Sequence, residues 1–506
     1  MEKLPVRKER LLRKTLELGS FQRNSPAGCP GSFLTSHSTD YSRCHVTLAR
    51  RRHTLPQNPF TVQAIIDTLR LSSRYGAVTH VVPGEADSFC AEIARTARAT
   101  LILTSDSDLL IYDIGSSSVV FFDDILLPGC DVVPSCSVFS IPSLEARLDL
   151  LGIDSAHGIR RFAFELLKKP HASLLQLLAA CREPADGGGY AEFGQGYGTQ
   201  QLNVSLPSIE INPTPPDSRL LELAIQTSSH ILPPSYQAGP QSCEPKRIFL
   251  PNPLENYGRS SCFDASTEIR RVAYSLLPWN TDGDARSIWE FKRLHILNGR
   301  GTLVPLCSLS ELPTATRQLV ATLSYMTTQV LENNEHFWPS VAVGLDTHYA
   351  RSNGKAAVVS SLAGMTLRVS EMSPAIPWDV VHFKAQVHAC CYSFRLLRQV
   401  LSLVQLYDAS ETSNTVYELM RPYLSRVPSL EQLPSTEAIL GFLSPSPRDS
   451  PMARMLCVLE QQGLVINETP VATTLKRICK SKRSGTRAAQ GFDTRNPFGA
   501  LLDVEE

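Results

Sequence analysis

Apolar positions along this chain recur with two different periods, and the switches between them mark out its elements. From Ala86 to Arg98 they fall at Ala86, Phe89, Cys90, Ile93, Ala94 and Ala97, the spacing of an amphipathic helix. Short apolar runs lie on either side, Thr79 to Val82 and Ala99 to Leu103, and read as buried strands. A strand–helix–strand unit of this length predicts a right-handed crossover and a parallel strand pair. A helix is expected over 61–74, packed on that sheet through Val62, Ile65, Ile66 and Leu69. A further strand is expected at Val119 to Phe122, with helices over 144–152, 159–167 and 172–181. Ahead of all this, Met1 to Leu18 reads as a basic amphipathic helix and 21–57 as a loop rich in Ser, Pro, Arg and His.

The pattern then changes. Residues 183–244 hold Gly187-Gly188-Gly189, Gly194 to Gly198 and Pro213 to Pro216 with few apolar periods, which predicts an inserted flexible segment. From Phe249 onward the expected elements are helices, over 266–277, 314–333, 380–407, 412–424, 436–442 and 452–462. The 380–407 stretch is apolar on most faces, as a central buried helix would be. The chain thus divides into a basic helix and loop (1–57), an acidic α/β unit (58–182), a linker (183–245), a helical domain (246–470) and a basic tail (471–506).

Chemistry concentrates where the two first strands should end. Glu85 and Asp87 follow one run, and Asp106 and Asp108 follow the other. In parallel sheets ligands gather beyond the carboxyl ends of the strands, so both pairs are expected on one rim. Taken singly, each pair also reads as a helix-capping or turn pair. Together, clustered carboxylates without a nearby Cys or His call for Mg²⁺ or Mn²⁺ and suit two-metal phosphoryl transfer. Elsewhere no such constellation stands out. The glycines at 187–189 lack a following Lys-Ser/Thr, no G-x-S-x-G occurs, and His336, His348, His382 and His388 show no metal spacing.

Net charge is zero, so any affinity for nucleic acid must come from local basic stretches. These are Lys3 to Lys14, Arg50-Arg51-Arg52-His53, and Lys476 to Arg487, the last also shaped like a nuclear-import signal. Thirteen cysteines without a C-x-x-C pair suggest free thiols in a reducing compartment, with Cys90, Cys181, Cys390 and Cys457 acting as small hydrophobes. Met1 to Leu18 has no apolar signal core, and no run approaches the ~20 residues of a membrane span. An intracellular protein is expected, nuclear ahead of cytoplasmic, with no membrane partner and no small-molecule cofactor.

The words Gly84-Glu85-Ala86-Asp87 with Cys90-Ala91, then Leu103-Thr104-Ser105-Asp106-Ser107-Asp108-Leu109-Leu110, resemble the internal region of flap endonuclease/XPG-type nucleases, which have a PIN-like fold. Leu55-Pro56, Val81-Val82-Pro83-Gly84, Asp113-Ile114-Gly115, Val120 to Asp124, Arg161 to Leu166 and Ala385 to Arg395 are similar to the Asteroid family, in its fungal form. The resemblance implies an α/β fold, a PIN-like parallel sheet flanked by helices, followed by a mostly α-helical C-terminal half. It implies that Glu85, Asp87, Asp106 and Asp108 are metal ligands and catalytic carboxylates of a Mg²⁺- or Mn²⁺-dependent endonuclease acting on DNA or RNA. Leu150-Leu151-Gly152-Ile153-Asp154 matches the start of a further family word, which makes Asp154 a candidate metal ligand.

This chain departs from the family in two ways. Its opening, Met1-Glu2-Lys3-Leu4-Pro5, looks like the segment that follows the family's first two Asp-bearing strands, so those strands and carboxylates are expected to be missing. Ser155 to Arg161 lacks the G-x-G turn that would aim amides at duplex phosphate. Both departures favour an alternative reading: a catalytically inactive PIN-like scaffold that binds nucleic acid, or protein partners through its helical half and C-terminal tail.

Overall fold

The computed structural model describes residues 4–26, 28–30, 58–82, 86–97, 100–125, 135–151, 153, 158–184, 187–197, 216–227, 246–279, 286–296, 299–327, 334–363, 375–407 and 410–443. Its first elements in chain order are α1 (Leu4–Asn24), β1 (Cys29–Pro30), α2 (Thr61–Leu71), α3 (Ala86–Thr96), β2 (Leu101–Thr104), β3 (Ser118–Phe121), β4 (Phe139–Ser140), α4 (Ile141–Leu150), α5 (Gly158–Lys168), α6 (Leu174–Arg182) and α7 (Gly187–Gly196). The order continues through α8 (Ser218–Thr227), β5 (Arg247–Phe249), α9 (Thr267–Leu276), β6 (Ser287–Phe291) and β7 (Thr302–Pro305). It closes with α10 (Leu312–Thr327), α11 (Asn334–Ser352), α12 (Val358–Ala363), β8 (Ala375–Ile376), α13 (Trp378–Tyr407), α14 (Glu411–Leu424) and α15 (Thr436–Leu443). An α/β region therefore precedes a mostly helical half, as the sequence predicts.

The α/β region is built on a small mixed sheet. β2 runs parallel to β3, with Leu101 opposite Ser118 and Thr104 opposite Phe121, and β4 pairs antiparallel to β3. Ala91 and Ala94 of α3 pack with Ile102, Leu109, Tyr112, Ile114 and Val119 into one buried cluster. The small alanines let the helix lie close to the sheet, and Ser117 Oγ donates to the Ala94 carbonyl at 2.9 Å to fix it there. Gly115 turns the chain into β3 at φ 61°, where a Cβ would also press on the Arg95 carbonyl at 3.3 Å.

Two expectations about this sheet fail. Among the described residues, positions 79–82 pair with no strand; β2 has β3 as its parallel partner instead. Hydrogen bonds from Gly76 N–H to Ser72 O and from Val78 N–H to Tyr75 O wind the preceding segment into a tight turn. The Thr79 carbonyl is then taken by the Arg70 guanidinium at 2.8 Å. α2 also packs through only part of its expected apolar face, with Ile66 and Leu69 half-buried. Val62 is 72% and Ile65 52% exposed, whereas Gln63 and Asp67 are buried. The cause is electrostatic: Asp67 forms a buried ion pair with Arg395 of α13 at 2.8 Å and accepts from Gln63 at 3.1 Å. A charged pair out of water must stay matched, so it fixes the helix's rotation against the weaker pull of two aliphatic side chains.

The helical half forms around α13. Phe383, Val387, Tyr392, Phe394, Leu397 and Leu401 belong to one large core cluster together with side chains from α9, α11, α14 and α15. The sequence missed the sheet inside this half, in which β5 runs parallel to β6 and β6 antiparallel to β7. Glu290 interrupts the apolar run of β6 yet is fully buried, paired with Arg270 of α9 at 2.6 Å. The predicted flexible segment contains α7 and α8, and α8 buries Leu220, Leu223 and Ala224. The expected helix at 452–462, most of the loop at 21–57 and the basic tail lie outside the described residues.

α1 docks on the second sheet. Leu11 packs with Phe291 and Leu294, and Thr15 Oγ1 accepts from the Leu294 N–H at 3.3 Å. The basic side chains of α1 are drawn into this contact. Arg7 pairs with Glu222 and lies over the Phe249 ring, and Lys8 lies over Phe291. Cys390 is buried as expected, but Cys90 is exposed on α3. No helix among the described residues is long and apolar enough to cross a membrane.

Candidate acidic site

The turn after β2 shapes one acidic pair. Thr104 Oγ1 accepts from the Asp106 N–H at 2.9 Å, and Asp106 Oδ1 accepts from the Asp108 N–H at 3.1 Å. Asp106 thus caps the short 3₁₀ turn over 107–110, with backbone extended at φ −103° and ψ 123°. Its side chain is exposed, and that of Asp108 is half-buried. The capping role uses one oxygen of Asp106. A carboxylate has two oxygens with several lone pairs, so capping and cation binding are compatible.

The other predicted residues are distributed differently. Asp87 is half-buried in the first turn of α3, where a negative charge is stabilised by the helix dipole. Although Cys90 stands at the surface, partial cover of its sulfur raises the thiol above its ordinary range, and the nearby charge of Asp87 raises it further. Glu85 and Asp154 lie outside the described residues. Among the described residues no three His, Cys, Asp or Glu side chains group closely enough to hold a metal ion. Asp106 and Asp108 therefore have the oxygen chemistry of a hard-cation site, but the described residues do not complete one.

Sequence reasoning missed one member of the site. Tyr197, just after α7, donates its hydroxyl to Asp108 Oδ2 at 3.3 Å. Burial and then the Asp108 charge push the phenol up to about 12, so it stays protonated and keeps donating. Its ring sits 5.2 Å from Tyr112 and 4.9 Å from Phe193. Phe164 continues the series, 5.5 Å from Phe193 and 5.3 Å from Tyr190. The signal was present: Tyr190, Phe193 and Tyr197 recur at helical spacing, hidden among glycines that argued for a linker.

Basic side chains nearby are largely committed to structure. Arg160 Nε donates to the Ile111 carbonyl at 2.9 Å, which ties α5 to the acidic turn. Arg161 pairs with Glu165 at 2.7 Å and donates to the Ala180 carbonyl at 3.0 Å, linking α5 to α6. The predicted basic clusters at 50–53 and 476–487 lie outside the described residues. Nothing among curated proteins or solved structures matches the chain. Residues 57–297, which run from α2 to just beyond β6, match the model of the family described as XPG domain containing, and this supports kinship of that span with the XPG-like nuclease superfamily.

Proposed function

We propose that this chain is an XPG-type protein, of the Asteroid kind, that engages nucleic acid and hydrolyses phosphodiester bonds with Mg²⁺ or Mn²⁺. The observation that carries this reading is the position of Asp106 and Asp108 on the turn directly after β2, inside the span that matches the XPG family. Asp106 and Asp108 would anchor the cation, with Glu85, Asp87 and Asp154 as the further carboxylates. A third ligand from Glu85 or Asp154 is required, since the described carboxylates form no three-ligand group. When bound, a divalent ion supplies charge neutralisation and an acidified water.

The chain's own residues set the rest. Asp106 holds the turn, so replacing it disturbs both geometry and charge. Tyr197 occupies an oxygen of Asp108 and must yield it for that oxygen to become a ligand. Tyr197, half-buried, lies next to Asp108 and packs on the half-buried Phe193, and aromatic side chains in such a place can stack an unpaired base. The test is cleavage of single-stranded and branched DNA and RNA in Mn²⁺, comparing the native chain with the double variant Asp106→Asn, Asp108→Asn. Cleavage by the native chain that the variant loses supports the proposal; equal cleavage by both removes it. Salt-sensitive binding by both without cleavage would identify a binding scaffold instead.

A further inference from the structure

A cavity of about 250 Å³ opens in the helical half, between the Gly258–Ser261 loop, α11 and α13. We infer that it is a binding site for a small phosphate monoester whose organic part carries a hydroxyl or amino group. Its mouth is rich in unspent donors. Lys355 Nζ donates to Ser260 Oγ at 2.9 Å and to the Tyr349 hydroxyl at 3.2 Å. No carboxylate among the described residues lies within ion-pair distance of Lys355, although every other lysine or arginine lining the cavity has one. That other cation is Arg259, bound by Nε and one terminal nitrogen to Asp379 at 2.7 and 2.8 Å. Ser260 accepts from Lys355, which leaves its own hydroxyl proton to give.

The floor is different. Gln386 is 5% exposed and donates through Nε2 to Asp346 Oδ1 at 2.8 Å, while its Oε1 has no hydrogen-bond partner. His382 is 1% exposed, and its Nδ1 is likewise without a hydrogen bond, 3.6 Å from Glu255 Oε2. Asp346 is already spent: its oxygens accept from Gln386 and from the Val359 N–H at 3.2 Å. Buried polar atoms are nearly always satisfied; His382 Nδ1 faces the protonatable Glu255 carboxyl, so it is the unpaired oxygen of Gln386, a residue lining the cavity, that points to a missing partner. Burial holds His382 neutral, down to about 3, with Arg259 and Arg293 assisting, so the floor adds no positive charge.

The two ends select the ligand. Lysine and hydroxyl donors at the mouth match the acceptor-only oxygens of phosphate, and they exclude a metal cation. The unpaired Gln386 oxygen requires a donor, which a phosphate ester's hydroxyl or amino group provides. The volume falls just below the usual range of small-molecule sites, roughly 300–1,000 Å³, and so limits the organic part to a few heavy atoms. The cavity lies in the helical half, and its use does not depend on the acidic site.

Isothermal titration of the full chain at fixed ionic strength tests this, with glycerol 3-phosphate, inorganic phosphate and glycerol as probes. Glycerol 3-phosphate should bind saturably at one site, inorganic phosphate more weakly, and glycerol not at all. Lys355→Met, an exposed position, should weaken both phosphate compounds about tenfold or more while leaving the melting temperature unchanged. Gln386→Leu should erase the preference for the ester over inorganic phosphate. Absence of saturable heat, equal binding by Lys355→Met and the native chain, or equal binding of the two phosphate compounds would each overturn the assignment.

Discussion

Replacing Glu290 with Gln tests whether a buried charge network holds the helical half together. The Glu290 carboxylate accepts from Arg270 at 2.6 and 2.9 Å and from the Tyr274 hydroxyl at 2.9 Å, with Lys292 Nζ at 3.0 Å. Arg270 is as fully buried as Glu290, so its guanidinium has no water to turn to. Burial, the largest single influence, raises the Glu290 carboxyl. Arg270 and Lys292 together more than offset it and bring the group from 4.5 down to about 2. At about 1.4 kcal/mol per decade, that depression corresponds to about 3 kcal/mol of stability. Removing one partner of a buried pair independently suggests about 3–5 kcal/mol.

A carboxyl whose folded pKa is depressed contributes fully above its unfolded value of about 4.5, and the contribution is lost as pH falls through about 2. Urea unfolding followed by tryptophan fluorescence should place Glu290→Gln about 3 kcal/mol below the native chain at pH 7. The gap should narrow progressively below pH 4.5. A difference under about 1 kcal/mol at pH 7, the level of an exposed pair, would refute the reasoning.

Three further outcomes follow from other contacts. Arg395→Met leaves Asp67 buried without its cation and should cost about 3–5 kcal/mol, with amide exchange in 61–71 rising first; unchanged exchange there would mean that the pair does not hold α2. Tyr197→Phe frees Asp108 Oδ2 and should tighten Mn²⁺ binding by about threefold to tenfold in a titration, whereas unaltered affinity would show that the hydroxyl does not compete. Burial pushes Glu255 up to about 7 against the opposing pull of Arg293, so the folded state holds its proton more tightly than the unfolded state. Stability should therefore fall by about 3 kcal/mol as pH rises from 4.5 through 7, and Glu255→Gln should flatten that slope in urea titrations at several pH values.

Local pattern determined the elements that depend on local pattern. β2 and α3 follow from apolar spacing near Ala86 to Thr104, and α13 follows from its nearly continuous apolar surface. The acidic turn was readable too, because Asp106 caps a turn only two residues away. Tertiary structure decided what depends on distant partners. α2 leaves Val62 and Ile65 outward because Asp67 finds Arg395, 328 residues later in the chain. Glu290 reads as a surface acid until Arg270 and Tyr274 are placed around it. Tyr197 joins Asp108 across 89 residues, through a helix that its glycines conceal. Periodicity reports which side a residue would prefer to bury. A buried charge must be matched wherever its partner lies, and nothing in a residue's immediate neighbours along the chain records that position.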